Sequence, residues 1–574
     1  MIDIRFSELD GFTTISTFLK EGRSPGPLGL VRPIRLPLAL ALQRNFNVPV
    51  LFITGQMNRA QVLMEEMQFW SENSQGMLFP EPVPLFYEDA SWDESTRAAR
   101  LSVLETLSRY WIPGQKPQTG RPPFVIASIK ALMARTLPRR DFILARKVLK
   151  IGQAYDLEGL LLQIVRLGYE FHEIVSGMGQ FSRRGGIVDI WLVGEDHPVR
   201  IEFFGDEIES IRLFDENSQR SIKTLEQCSL VPTREYLLPE QGKTDEIMHR
   251  RERDICVLHP QATSLFSYLP KGSLVFLDDQ DILITVSEEV EKDAMELRQQ
   301  LVVEKDLPHD FPVPYYSWSE LYDQMLSFTP LNMSFSGMET LQLFRQDVQP
   351  APHFGGKLGD LLDFLDSETA EDHQVTLISR QSERLQKLWE ERVNPADRRF
   401  ALVQFVNESI SSGWKMRYPD QRIEYLISDD EIFGWQPAIR RKRRKLLPDL
   451  AVFDIGSFEV GDYVVHFEYG IARYRGLVTR MLEGVEKEYL FLEFADGDEL
   501  YVPVHQAERI SQYIGPDARP PRLTSLGSPA WQGMKNRVSH AVQYVAKDLL
   551  ELYSKRQSVA GYAFHEDSDW QREL

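Results

Sequence analysis

Apolar residues recur along this chain with two periods, and the change from one to the other divides it into parts. Near the N-terminus, Val48 to Ile53 is a short apolar run, followed by a polar turn and by Leu63 and Met67 at helical spacing. That is the pattern of a buried parallel strand leading into an amphipathic helix. Phe124 to Ile126 is a second such run. From Gly168 to Ser221 the texture changes, with strands predicted at Ile187 to Val193, Val199 to Phe204 and Ile208 to Phe214. The turns between them, Gly194-Glu195-Asp196-His197 and Gly205-Asp206, are short enough for an antiparallel meander. Helix and strand signals then alternate again. Lys357 to Leu365 predicts a helix, Val375 to Ser379 a strand, Gln381 to Glu391 a helix and Leu426 to Ser428 a strand.

Residues 459 to 515 read differently, as a small all-β module. Val464 and Val465 lead to a Tyr469-Gly470 turn, and Ile471 to Thr479 runs to a turn at Glu483-Gly484. Leu490, Leu492 and Phe494 alternate on one face of the next run, Asp496-Gly497 offers a tight hairpin with two φ > 0 residues, and Leu500, Val502 and Val504 close the set. Strands this short, each burying one face, call for a strongly curved sheet or small open barrel. Beyond it, Ser528-Pro529 and the helical recurrence from Met534 through Leu552 predict a helix of about 30 residues, or ~45 Å.

One candidate chemistry is a nucleotide site. A phosphate-binding loop after the first strand needs the pattern G-x-x-x-x-G-K-[ST], because backbone N–H groups and a lysine cradle the phosphates while a hydroxyl holds magnesium. Gly55 is followed at that spacing by Ala60, Gln61 and Val62. The second glycine, the lysine and the hydroxyl are all missing. Residues 274 to 279, LVFLDD, have the look of a metal-binding strand end, but without the loop Asp278 and Asp279 read as the polar end of a buried strand.

Composition narrows the class. A chain of 574 residues exceeds one core, and 43% apolar with 26% charged residues is ordinary for a multidomain globular protein. No apolar run approaches a membrane span, the N-terminus MIDIRFSELDGF lacks a signal-peptide pattern, and Cys228 and Cys256 are the only cysteines. A disulfide scaffold and a cysteine-based zinc site are excluded, and a bacterial cytoplasmic location is expected. A net charge of −20 argues against a protein that coats nucleic acid and in favour of protein partners. The one basic block, Arg440 to Lys445, reads as a solvated linker face or as a contact to phosphate or an acidic partner.

Two segments carry a resemblance. VGDYVVHFEYGIARYRGL and EYLFLEFADGDELYVPV look like the RNA polymerase-interacting domain shared by CarD-type regulators and the bacterial transcription-repair coupling factors. The meander from Gly168 to Ser221 resembles the UvrA-binding domain of the excision-repair protein UvrB, which the same family carries inserted in an α/β domain that has lost its ATP site. The resemblance implies a multidomain α/β plus all-β architecture. A degenerate RecA-like, UvrB-like α/β domain would occupy residues 1–134 and 233–328, interrupted by the UvrA-binding domain at 135–232. A small α/β domain at 329–445, a CarD/Tudor-like small β-barrel at 446–525 and a connecting helix at 526–574 would follow. In the family that helix leads to two RecA-like motor domains, and no intact phosphate loop or helicase motif is expected in this chain.

The resemblance also implies partners and sites. UvrA would be held by Arg184, Arg200 and Phe204, where alternation sets Arg200, Glu202 and Phe204 on the face opposite Ile201 and Phe203. An exposed strand arginine and a core phenylalanine are the plain alternatives. The β subunit of RNA polymerase would be held by strand addition along Leu477 to Leu482, through Val478, Thr479, Arg480 and Met481. Double-stranded DNA, ATP and magnesium would belong to the family's motor, so this chain is expected to be a monomer, to be no enzyme as it stands and to take no cofactor. The rival readings are a self-standing CarD-like transcription regulator and a UvrB-like nucleotide-dependent enzyme.

Overall fold

The computed structural model describes residues 5–71, 75–84, 86–113, 121–216, 219–237, 252–334, 343–344, 347–394, 396–434, 460–466, 469–482, 485–503, 510–512 and 523–525, with the side chains of 479–488, 496, 503 and 511–512 excepted. The chain divides into two units, Met1–Ile439 and Arg440–Leu574.

In the first unit, β1 (Val50–Thr54), β2 (Gln75–Phe79) and β3 (Pro123–Ser128) begin a parallel sheet. The chain then leaves it for β4 (Lys147–Lys150), β5 (Glu170–Phe171), β6 (Gln180–Arg184), β7 (Ile187–Ile190), β8 (Val199–Phe204), β9 (Glu207–Phe214), β10 (Ser221–Thr224) and β11 (Gln227–Leu230). It returns with β12 (Leu274–Leu277) and β13 (Leu331–Asn332), completing the order β13-β12-β1-β3-β2. Because β12 pairs with β1 in parallel, the segment between β3 and β12 is an insertion in the α/β sheet. β1 is apolar from Val50 to Ile53 because both of its faces are covered: Leu51 and Ile53 enter one core, Val50 and Phe52 the other. Phe52 meets Phe124 and Phe276 at ring centroid distances of 6.3 and 6.1 Å.

The insertion has its own core, built on the six-stranded order β10-β9-β8-β7-β6-β5. The helix Leu157–Arg166 packs on it through Leu160 and Ile164, capped by Asp156, which accepts from the N–H groups of Glu158 and Gly159. The ribbon of β4 with β11 closes the insertion where it leaves and rejoins the α/β body. β7 ends at Ile190, short of the expected Val193, whose side chain instead enters a core of the α/β sheet.

A further sheet follows, from β14 (Val348–Pro350), β15 (Gln374–Ile378), β16 (Val403–Val406), β17 (Trp414–Arg417) and β18 (Ile423–Ser428), in the order β14-β17-β18-β15-β16. The expected helices are present at Leu358–Ala370 and Ser382–Arg392. One face of this sheet buries Val375, Leu377, Tyr425 and Ile427 beneath those helices. The other does not meet water. Ile378, Trp414, Met416 and Leu426 enter the core that Val50 and Phe52 share, and Trp414 lies against Trp70 with ring centroids 5.4 Å apart. The two sheets are thus held as one packed body.

The second unit is a five-stranded antiparallel sheet of β19 (Tyr463–His466), β20 (Gly470–Leu482), β21 (Val485–Glu493), β22 (Glu499–Pro503) and β23 (Ile510–Gln512), in the order β22-β21-β20-β19-β23. Its core is Val464, Ala472, Tyr474, Leu490, Leu492, Phe494, Val502 and Ile510. Two expectations change. The Asp496-Gly497 turn is a 3-10 turn over Ala495–Gly497, with Gly497 at φ 81°, because Phe494 pairs with Asp498 and leaves three residues rather than two to turn. β23 is an additional strand, seated on β19 by the buried Ile510. The predicted helix over 528–561, the basic block at 440–445 and the Glu483-Gly484 turn lie outside the described residues.

Candidate docking surfaces and the closed phosphate loop

The loop after β1 is closely covered. A Cβ placed on Gly55 would lie 2.5 Å from Ile282 Cγ2, so the helix Gln280–Glu304 closes directly over the turn. Asp278, at the end of β12, is buried and accepts from Arg35 at 2.9 Å and from Arg59 at 3.3 Å. Arg35 also donates to the carbonyls of Leu30, at 3.0 and 2.9 Å, and of Asp278. Burial lowers the Arg35 pKa and the Asp278 carboxylate opposes that shift. Two guanidinium groups therefore converge on Asp278, and neither was foreseen from the loop pattern. Asp279 caps the helix that follows by accepting from Ile282 N–H.

On the inserted sheet the three expected UvrA positions lie on one outer face, because β6, β7 and β8 pair Arg184 with Ile187 and Ile187 with Glu202. Phe204 is 81% exposed at the tip of β8, just before Gly205, while its neighbour Phe203 packs into the core. A core role for Phe204 is thereby excluded. Arg184 is exposed, one guanidinium nitrogen donating to the Glu173 carbonyl at 3.2 Å. Arg200 is more constrained than its sequence position suggested. It grips the buried Asp189 carboxylate through two bonds of 2.7 and 2.9 Å, donates to Gln219 at 2.9 Å, and lies 4.5 Å above the Phe214 ring. Its pKa is raised, first by the hydrogen bond to Asp189. Glu202 pairs with Arg212 alongside it, so the basic charge of this face is largely balanced and Phe204 and Ile187 are its apolar projections.

In the second unit, Val478, Thr479, Arg480 and Met481 all lie in β20. Among the described residues, β19 accompanies β20 only from Gly470 to Arg473, with two further bonds joining Tyr474 to Gly461 and Asp462. Among the described residues no strand pairs with that side of β20 beyond Gly476, and Leu477 and Val460 beside it are 50% and 70% exposed. Which groups face the edge follows from alternation. Phe494 donates to Asp498 on the β22 side, so Tyr489 turns toward β20 and its partner Val478 bonds within the β20–β21 ladder. Leu477, Thr479 and Met481 present their N–H and C=O groups to the open side. The side chains of Thr479, Arg480 and Met481 lie outside the described residues.

Comparison with known proteins matches two segments of the chain to recognised modules. The UvrB interaction domain matches residues 148–236, and the CarD-like/TRCF RID domain matches residues 458–514. Over nearly its whole length the chain is similar to transcription-repair-coupling factors. That of Bacillus subtilis (strain 168) is 27% identical over 99% of this chain and 52% of the relative. That of Myxococcus xanthus is 27% identical over 96% of this chain and 51% of the relative, and that of Staphylococcus haemolyticus is 23% identical over 99% and 51%. The chain spans about half the length of the curated relatives it matches. Among the described residues no helix is long and apolar enough to cross a membrane.

Proposed function

We propose that this chain is the recruitment portion of a transcription-repair coupling factor, joining stalled RNA polymerase to the UvrA-dependent excision machinery. The observation that carries the reading is the pairing, in one chain, of a sheet face that projects Phe204 and Arg184 with a strand edge on a separate unit that no described residue pairs beyond Gly476. The first matches a UvrB interaction domain and the second a CarD-like/TRCF RID domain. UvrA docks on the outer face of β6, β7 and β8 through Arg184, Arg200 and Phe204. The polymerase β subunit adds a strand to β20, where main-chain bonds supply affinity and side chains at Val478 to Met481 supply specificity. The chain acts as a monomer in the cytoplasm, and contact with double-stranded DNA belongs to a motor of the kind the family carries.

The edge assignment is tested by proline substitution. Thr479→Pro removes an outward N–H from an edge strand, which a sheet tolerates, whereas Val478→Pro cuts the β20–β21 ladder itself. Thr479→Pro is expected to abolish measurable binding to purified polymerase while the circular dichroism of the parent is kept. Unchanged affinity would place the contact on another edge.

The chain neither binds nor hydrolyses ATP in this reading, which is supported by the missing lysine and hydroxyl after Gly55, the cover of Ile282 over that turn and the engagement of Asp278 by Arg35 and Arg59. Titration of a fluorescent ATP analogue with magnesium should give no saturable signal. Micromolar binding would favour the UvrB-like enzyme instead.

A further inference from the structure

We propose that His197, Asp215 and Glu216 form a divalent transition-metal site at one end of the inserted sheet, a site independent of the docking readings above. The imidazole comes from the β7–β8 connection and the two carboxylates from the β9–β10 connection, and the N–H of Phe214 donates to the carbonyl of Pro198 at 3.0 Å, clamping the two together. One ligand atom from each residue lies within 4.8 Å of the others, and all three residues are partly buried. His197 Nδ1 stands 3.3 Å from Glu216 Oε2, and the Glu216 side chain retains only 15% of its exposure. Donors about 2.1 Å from a tetrahedral ion are separated by about 3.4 Å, so this pair already has the spacing of two ligands. The other separations are at most 4.8 Å, so binding needs them to close by no more than about 1.4 Å.

The backbone beneath the carboxylates is held in place without an ion. Asp215 donates its N–H to Arg220 O at 2.9 Å and accepts from Gln219 N–H at 2.8 Å. Gln219 sits at φ 58°, in the left-handed region, and its amide donates to Glu216 O at 2.9 Å. Asp215 and Glu216, so bonded, lose little backbone freedom when an ion binds. One imidazole nitrogen with two carboxylates is a borderline donor set, suited to Zn²⁺ ahead of Mn²⁺ and short of the oxygens that Ca²⁺ requires.

A second cluster supplies the control. His353, Asp430 and Glu431 also lie close together, but the Glu431 carboxylate already accepts from Ser428 N–H at 2.8 Å, Ser428 hydroxyl at 2.6 Å and Gly413 N–H at 2.9 Å. Its oxygens are committed to capping a helix and bracing a loop.

The test is calorimetric titration of chelator-stripped, tag-free full chain with zinc chloride, beside its melting temperature with and without zinc. A single saturable site and a zinc-dependent rise in Tm are expected. His197→Ala and the nearly isosteric Glu216→Gln should each weaken binding about tenfold or more and remove the rise, while His353→Ala leaves both unchanged. Absence of a saturable site, zinc binding that survives both substitutions, or loss of binding in His353→Ala would overturn the assignment.

Discussion

Replacing Glu235 by alanine is expected to destabilise the first unit by about 3–5 kcal/mol, the usual cost of leaving one member of a buried ion pair without its partner. Arg100, on the helix Glu94–Ser108, has a side chain 0% exposed, and Glu235, just beyond β11, has one 1% exposed. The second guanidinium bond of the pair is 3.1 Å, and Arg100 also donates to the carbonyls of Pro80 and Ala131 at 3.0 Å each. Its guanidinium lies 3.9 Å from the Phe79 ring centroid and 4.8 Å from that of Trp92. Carbonyls and ring faces soften the loss of the carboxylate but carry no full charge. Glu235→Ala therefore strands a cation at the point where the inserted module rejoins the α/β body. Changing both partners, as Arg100→Met with Glu235→Leu, removes the stranded charge and should recover most of the loss. Urea unfolding followed by tryptophan fluorescence reads both, with each transition treated separately because the chain has more than one cooperative unit. A loss under about 1 kcal/mol for Glu235→Ala would mean that water reaches Arg100.

Strands were the most legible part of this fold because a short apolar run or a two-residue period survives without knowledge of partners. The runs at Val48, Phe124, Val199 and Val375 fall on β1, β3, β8 and β15 with end shifts of two residues at most. The missing lysine and hydroxyl after Gly55 were equally visible, since a motif is local. What replaces them was not. Arg35 and Asp278 are 243 positions apart, and no pattern in either segment marks the other as its partner. The same limit hid the second face of the β14–β18 sheet, where nothing in the sequence around Trp414 and Met416 shows that a different sheet covers them. Alternation did place Phe204 on the polar face of β8, and its exposure agrees. It could not reveal that Asp189, on a neighbouring strand, already holds the Arg200 guanidinium.

That difference between Phe204 and Arg200 shapes the remaining prediction. Phe204→Ala should weaken binding of purified UvrA by about 2 kcal/mol or more, roughly thirtyfold, as expected for a projecting aromatic anchor that a partner desolvates. Being 81% exposed, the ring contributes little to folding, so the melting temperature should stay at that of the parent. Arg184→Ala is expected to act in the same direction with a smaller effect, because only its contact with the Glu173 carbonyl is lost within the chain. Arg200→Ala is less clean, since it also strands the buried Asp189 carboxylate and frees Gln219. Its binding loss counts as contact only in excess of what Asp189→Asn produces, because that variant loosens the Arg200 side chain while leaving it in place. Affinities are read by titration of labelled chain with UvrA at fixed ionic strength. If Phe204→Ala and Arg184→Ala both bind within twofold of the parent at matched stability, the docking face is not the outer surface of β6, β7 and β8.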